Sequence, residues 1–415
     1  MSQPSAIVLG AGMVGVSVAL HLRRRGFSVV LVDRQAPGLG ASFGNGGLIQ
    51  SEAVFPHPFP RQMAEILRMA RNRSVDVHYH LGAMPELLPP LLRYWRNSAP
   101  DRYPAIAQAH AALIATALAE HQALAADAGA GVLLRPIGWM RLFSTPAALD
   151  GALALAEAAQ RDFGVAFAAL DSAQLAAAEP HLQVGRAGAI HWTAPISVSD
   201  PHALTTAYAA LFAQEGGHFA FGDATSLKRD GAGWQVMTED GQVSAGQVVI
   251  ALGAAAGRVT APLGYAPPLF SKRGYHRHFT LAGNAVLHRP ILDTESAFLL
   301  APMRAGIRLT TGVEFARDDA PPTPVQLARA EPIARGLLPI ASPVEDEAWM
   351  GLRPCTADML PVIGRLPGQA GAWCAFGHAH QGFTLGPSTG RLLAEMMAGE
   401  APFIPPEPYR PERFV

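Results

Sequence analysis

The chain has 415 residues, 49% of them apolar and 16% charged, and its 32 Lys and Arg against 33 Asp and Glu give a formal net charge of −1. That length exceeds one ordinary domain, and the composition excludes a disordered chain. The near-zero charge excludes nucleic acid as a partner held by bulk electrostatics, and two cysteines, Cys355 and Cys374, are too few for a disulfide framework or a thiolate metal cluster. A reducing, cytoplasmic setting is expected. The first strand-like run, Ala6-Ile7-Val8-Leu9, begins too early for a cleavable signal. No run approaches the roughly 20 apolar residues of a membrane helix, so any membrane contact is expected to be weak and peripheral.

In chain order, residues 6–10 read as a buried strand, 13–25 carry helical spacing, and 28–32 form a second, β-branched strand. The glycine-rich stretch 38–47 reads as loop. Residues 61–129 read as mostly helical, with Leu87-Leu88-Pro89-Pro90-Leu91-Leu92 expected to break them and 105–127 expected to form one long Ala-rich helix. Short strands at 132–134 and 139–143 follow, then helices over 147–162 and 201–214 and the apolar strand 247–251. Residues 269–311 alternate as antiparallel strands, and 320–324 is a loop before a helix ending near Arg335. The tail reads as strand (373–376), glycine-rich turn (377–382) and helix (385–397). There is no linker between autonomous units. The expected architecture is therefore α/β plus α+β: a Rossmann-like half from 1–75, 199–262 and 345–415, interleaved with an antiparallel-sheet-and-helix half from 76–198 and 263–344.

The sharpest motif is Gly10-Ala11-Gly12-Met13-Val14-Gly15, placed between a strand and a helix. Gly10 permits the tight turn, Gly12 lets a pyrophosphate approach the backbone, and Gly15 lets helix and strand pack closely. Amides at the helix start can meet phosphates, and Asp33, closing the second strand beside Arg34, can accept both ribose hydroxyls. The fingerprint by itself does not separate FAD from NAD.

Two remote segments bear on that choice: Gly351-Leu352-Arg353-Pro354-Cys355-Thr356-Ala357-Asp358, and Gly377-His378-Ala379-His380-Gln381-Gly382-Phe383-Thr384-Leu385. With them the sequence resembles the D-amino-acid dehydrogenase and glycine/sarcosine oxidase family of flavoproteins. The resemblance implies FAD. Ser42, Asn45, Gly46 and Gly47 resemble the family's loop beneath the flavin ring, and Gly377, His378, Gly382, Phe383 and Thr384 its helix start at the pyrimidine end. Gly253 falls in a turn expected near the same cofactor. Cys355 does not fall where some sarcosine-oxidising relatives attach FAD, so non-covalent FAD is expected.

For the substrate, Arg353 offers a planar fork to a carboxylate, and the family match supports that role. The resemblance implies a small amino-acid substrate, a D-amino acid or cyclic imino acid, oxidised by hydride transfer from Cα to the flavin. Electrons would pass on to a quinone or another acceptor. The alternatives are an oxidase using O₂ on glycine or sarcosine, and a flavin-bearing subunit of a larger electron-transfer complex. His276 and His278 alternate on a predicted strand and share a face, with His276 a candidate at the substrate. Related enzymes place a tyrosine on the strand matching Glu295-Ser296-Ala297-Phe298-Leu299, where this sequence has Phe298. Either Tyr275 takes over or the substrate differs from a simple D-amino acid. The stretch 87–95, ending Tyr94-Trp95, reads either as a bilayer contact or as a packed helix break.

Overall fold

The computed structural model describes residues 3–183 and 185–415. Residues Ser5–Leu9 (β1), Met13–Arg24 (α1) and Ser28–Asp33 (β2) form the strand–helix–strand unit expected from the first block. β1 lies between β2 and Gln247–Ile250, parallel to both, and all but the first residue of β1 are buried. Apolar runs without alternation suit strands covered on both faces. The full sheet has eight strands, with His218–Asp230 beside β2 and Ala372–Phe376 beside Gln247–Ile250.

The final helix, Gly382–Ala398, packs along α1. Two glycines permit the approach: a Cβ at Gly386 would sit 2.7 Å from Met13 Cγ, and one at Gly390 2.6 Å from the Ser17 carbonyl carbon.

A second sheet of eleven strands is centred on the long strand Leu269–Leu281, which pairs antiparallel with Trp349–Thr356 and Gly306–Thr310. Trp349–Thr356 thus belongs by hydrogen bonding to the second sheet, although a boundary at 345 would place it with the first half. Directly opposed residues share a face. One row across this sheet therefore reads Arg141, Leu292, Leu299, Thr310, His276, Trp349, and a parallel position pairs Lys272 with Arg353. The other face carries Phe279, Phe298 and Leu300 into a separate apolar core.

Two expectations fail in the helical region. The helix Met84–Asn97 runs through Pro89 and Pro90 instead of breaking there. Two prolines cost about 3 kcal/mol each, yet Leu87, Leu91 and Tyr94 on one face are buried against Phe270 and Cys355. Burying each such side chain returns about 1.5–3 kcal/mol, so packing offsets much of the loss. Residues 105–127 form two helices, Tyr103–Ile114 and Ala117–Asp127. At the bend the Thr116 hydroxyl lies 2.8 Å from the Ser388 hydroxyl of the final helix. Alanine spacing sets no direction of its own, so tertiary contact decides where the chain turns.

Candidate active site

The nucleotide cradle starts at Gly10, whose N–H donates to Val32 O at 2.8 Å and whose φ of +104° only glycine adopts freely. A Cβ there would lie 2.5 Å from Ala251 O, and one at Gly15 would collide with Gly10 O. Gly12 caps α1 without a side-chain bond. Asp33 braces the turn: Oδ2 accepts from Ala11 N at 2.7 Å and Oδ1 from Gln35 N at 3.1 Å. Arg34 is exposed at the same edge, Met13 is buried and Val14 partly so.

The glycine loop reaches the cradle through Ser42, whose hydroxyl accepts from Met13 N at 2.9 Å. Asn45 Oδ1 accepts from Gly47 N at 2.9 Å, which turns the chain at Gly46 and Gly47. The Trp349 indole occupies the space that a Cβ on Gly44 or on Gly351 would need. The loop is thereby seated on the second sheet. Gly253 follows strand Gln247–Ile250 with φ +56°. The final helix starts at Gly382 with no side-chain cap; Phe383 O accepts from the His121 ring at 2.9 Å, and Thr384 Oγ1 accepts from Gln50 N at 3.2 Å. Gly377, at φ +86°, turns the chain into buried His378, whose Nε2 lies 2.9 Å from Thr389 Oγ1. Burial holds that imidazole down to about 3, hence neutral. Two helix starts whose N-cap residues offer no side-chain bond, a backbone closed to any Cβ and a carboxylate closing β2 beside them fit a dinucleotide carrying phosphates.

Beside this cradle lies a polar cluster. His57 keeps accessible surface while protein packs around it, and its ring lies 5.1 Å from that of His380. Burial depresses both imidazoles, which are also close enough to Lys272 to feel its charge. Arg353 enters from strand Trp349–Thr356, its guanidinium filling the space that a side chain on Gly274 would need. Its NH1 donates to Gly312 O at 2.9 Å and its NH2 to Thr311 O at 3.4 Å. Among the described residues no carboxylate pairs with it, and burial lowers its pKa. Lys272 stands directly opposite, its ammonium 3.4 Å from the Tyr94 hydroxyl.

The structure does not bring the other sequence candidates to Arg353. Tyr275 points to the opposite face of its strand, where its hydroxyl donates to Glu314 Oε2 at 2.6 Å and accepts from Thr323 N at 2.9 Å. Phe298 also faces away, into the core. His276 shares the face of Lys272 but lies four residues along the strand, about 13 Å away. Its ring stacks on Trp349 at 4.9 Å, and burial followed by Arg308 holds its pKa down to about 2. Cys355 is buried and free, its thiol pushed up by burial.

Lys272, Arg308 and Glu52, near these groups, escaped the sequence reading, and Tyr94 entered it only as part of a bilayer contact or packed helix break. Glu52 is buried with Oε1 accepting from Trp139 Nε1 and Gln50 Nε2, both at 2.9 Å, and burial pushes its pKa up to about 7. The alternation of 269–281 could have found Lys272, since it shares a face with His276. Nothing in the sequence distinguishes Glu52 from a surface acid.

Comparison with known proteins gives the family and the fold. The family model described as FAD dependent oxidoreductase (DAO) matches residues 5–396. A D-amino acid dehydrogenase of Cereibacter sphaeroides (strain ATCC 17029 / ATH 2.4.9) is 32% identical over 437 residues, covering 99% of this chain and 95% of that protein. A D-amino-acid oxidase of Bradyrhizobium diazoefficiens is 29% identical over 98% of each chain. Among solved structures, glycine oxidase from Geobacillus kaustophilus superposes with a TM-score of 0.75 at 22% identity over 99% of this chain and 98% of that one. L-proline dehydrogenase from P. horikoshii gives 0.73 at 19%, over 100% of this chain and 98% of that one. The chain belongs to the DAO family of FAD-dependent oxidoreductases.

Proposed function

We propose that this protein oxidises the nitrogen-bearing carbon of a small amino acid, a D-amino acid or a cyclic imino acid such as D-proline or hydroxy-D-proline. Electrons then pass to a quinone or another acceptor. The observation that carries the reading is Arg353, a partly buried guanidinium held only by backbone carbonyls beside the cradle. Two peptide carbonyls leave its positive charge uncompensated, and a substrate carboxylate supplies the missing anion. The names of the curated relatives, a dehydrogenase and an oxidase of D-amino acids, support the same substrate class.

FAD, when bound, supplies the acceptor for the two electrons leaving the substrate. The chain's own residues bind and orient. Arg353 fixes the carboxylate plane, and Lys272 with the Tyr94 hydroxyl stands beside it in the place expected of Tyr275. The neutral imidazoles of His57 and His380 add no competing charge, so the carboxylate is drawn to one end. Holding the substrate in one orientation is worth several orders of magnitude in rate.

An acceptor dissolved in a membrane is compatible with the outer surface of helices Met63–Ala70 and Met84–Asn97, where Met63, Leu67, Leu88, Leu92 and Trp95 are exposed. Among the described residues no helix is long and apolar enough to cross a membrane. The test is a screen of D-, L- and cyclic amino acids with a dye acceptor under argon, then in air. Reduction of the dye by D- or cyclic substrates under argon is the expected result; turnover confined to glycine or sarcosine in air would replace this reading with that of an amine oxidase.

A further inference from the structure

Arg308 has no part in the reading above, yet it is 5% exposed and makes three hydrogen bonds. Its Nε–H donates to His278 Nε2 at 2.9 Å, and NH1 donates to the carbonyl oxygens of Phe43 at 3.0 Å and Asn45 at 2.5 Å. His278 is held in turn by Glu345: the backbone N–H donates to Oε2 at 2.9 Å and ring Nδ1 lies 2.5 Å from Oε1. Because Nε2 accepts from Arg308, the imidazole proton sits on Nδ1 and is donated to Glu345. This fixes one neutral tautomer and gives His278 a supporting place in the fold.

The consequence lies in the glycine loop. A trans peptide points its C=O and N–H to opposite sides. With the carbonyls of Phe43 and Asn45 drawn down to the sheet by Arg308, the N–H groups of Gly44 and Gly46, which share those peptides, point away from it. Among the described residues neither N–H has an acceptor. The same loop meets the start of α1 through Ser42. We propose that Arg308 is a positioning residue that turns two loop amides toward the bound FAD, and that His278 and Glu345 hold Arg308 in that posture. This rests on the family's cofactor and is independent of the substrate reading.

The arrangement is sensitive to acid. A proton on Nε2 of His278 removes the acceptor for Arg308 Nε and places two cations side by side. The charged and titratable groups facing His278 are Arg308, Glu345, Asp200 at the head of the helix Pro201–Gln214, and His276, whose ring is 5.1 Å away. Burial first, and Arg308 second, hold His278 below the ordinary imidazole range, so the coupling is intact at neutral pH and loosens on acidification.

The test follows release of FAD from the diluted holoenzyme by recovery of flavin fluorescence, together with the flavin midpoint potential. Arg308→Ala is expected to raise the FAD dissociation constant at least about tenfold and to shift the potential. Arg308→Lys, which keeps charge but reaches fewer acceptors, is expected to fall between. Wild-type affinity and potential in Arg308→Ala would overturn the proposal. If that variant does not fold, Arg308→Lys decides in the same way. The ratio of mutant to wild-type dissociation constants is expected to narrow only on acidification below the ordinary imidazole range, because acid disables the same contact. Glu345→Gln, which removes the anion favouring charged His278, should move that narrowing to lower pH. A ratio unchanged between neutral and acid pH would overturn the role given to His278.

Discussion

Arg353 is where the substrate reading is most exposed. If it clamps a carboxylate, Arg353→Ala should lower kcat/KM by about 10²–10³, and Arg353→Lys should lie between, since a point charge attracts without fixing the plane. An amine without a carboxylate should be a poor substrate and nearly indifferent to both changes. Near wild-type efficiency of Arg353→Ala on the best amino acid would move the anchor elsewhere. Asp33 gives a contrasting outcome. It braces the turn through Ala11 N–H at the end of β2 beside the cradle, so Asp33→Ala should weaken FAD binding by about 1.5–3 kcal/mol. Turnover at saturating FAD should be largely preserved; its equal loss would argue that Asp33 does more than hold the nucleotide.

At the scale of elements, the contact between α1 and the final helix couples the two uncapped helix starts at the cradle. A Cβ at Gly390 would meet the Ser17 backbone at 2.6 Å, and neither helix can yield without moving its start. Gly390→Val should therefore lower stability by about 1–3 kcal/mol and weaken FAD binding as well, read by thermal melting and flavin release. Gly257, where an added Cβ would meet nothing within 4 Å, is the control: Gly257→Ala should be neutral or slightly stabilising. Equal melting temperatures for the two variants would show that the helix contact tolerates repacking. The helix through Pro89 and Pro90 makes the same point from the other side, because burial of Leu87, Leu91 and Tyr94 sustains a segment whose local sequence opposes it.

For the whole molecule, buried imidazoles set the acid limit. Burial holds His21 and His378 down to about 3 and His110 and His121 down to about 4, against an ordinary value of 6.5. Between those values the unfolded chain binds the protons and the folded chain does not. Stability from these groups is thus complete above about pH 6.5 and is lost as pH falls toward 4. Glu52 opposes them, since its raised pKa favours the folded state below about pH 7, but it is one group against these four and the other lowered imidazoles, among them His57 and His276. The urea midpoint should be flat above neutrality and fall steeply below pH 6. A midpoint constant down to pH 4.5 would mean that these histidines are solvated in the folded protein.

The sequence by itself determined the strand–helix–strand cradle, because Gly10, Gly12 and Gly15 act through local backbone sterics that need no distant partner. It also pointed to the start of the final helix and, through the resemblance, to Arg353. It misjudged the helices around Pro89 and residues 105–127, where long-range packing outweighs local propensity. Only the tertiary structure decided which side of the strand Leu269–Leu281 faces the cradle. Alternation shows that Lys272, Gly274, His276 and His278 share one side and Arg273 and Tyr275 the other, but a strand looks the same from either face until other strands cover it. That pairing turned Tyr275 toward Glu314, set Lys272 against Arg353, and brought Arg308 beneath a loop more than 260 residues away in sequence.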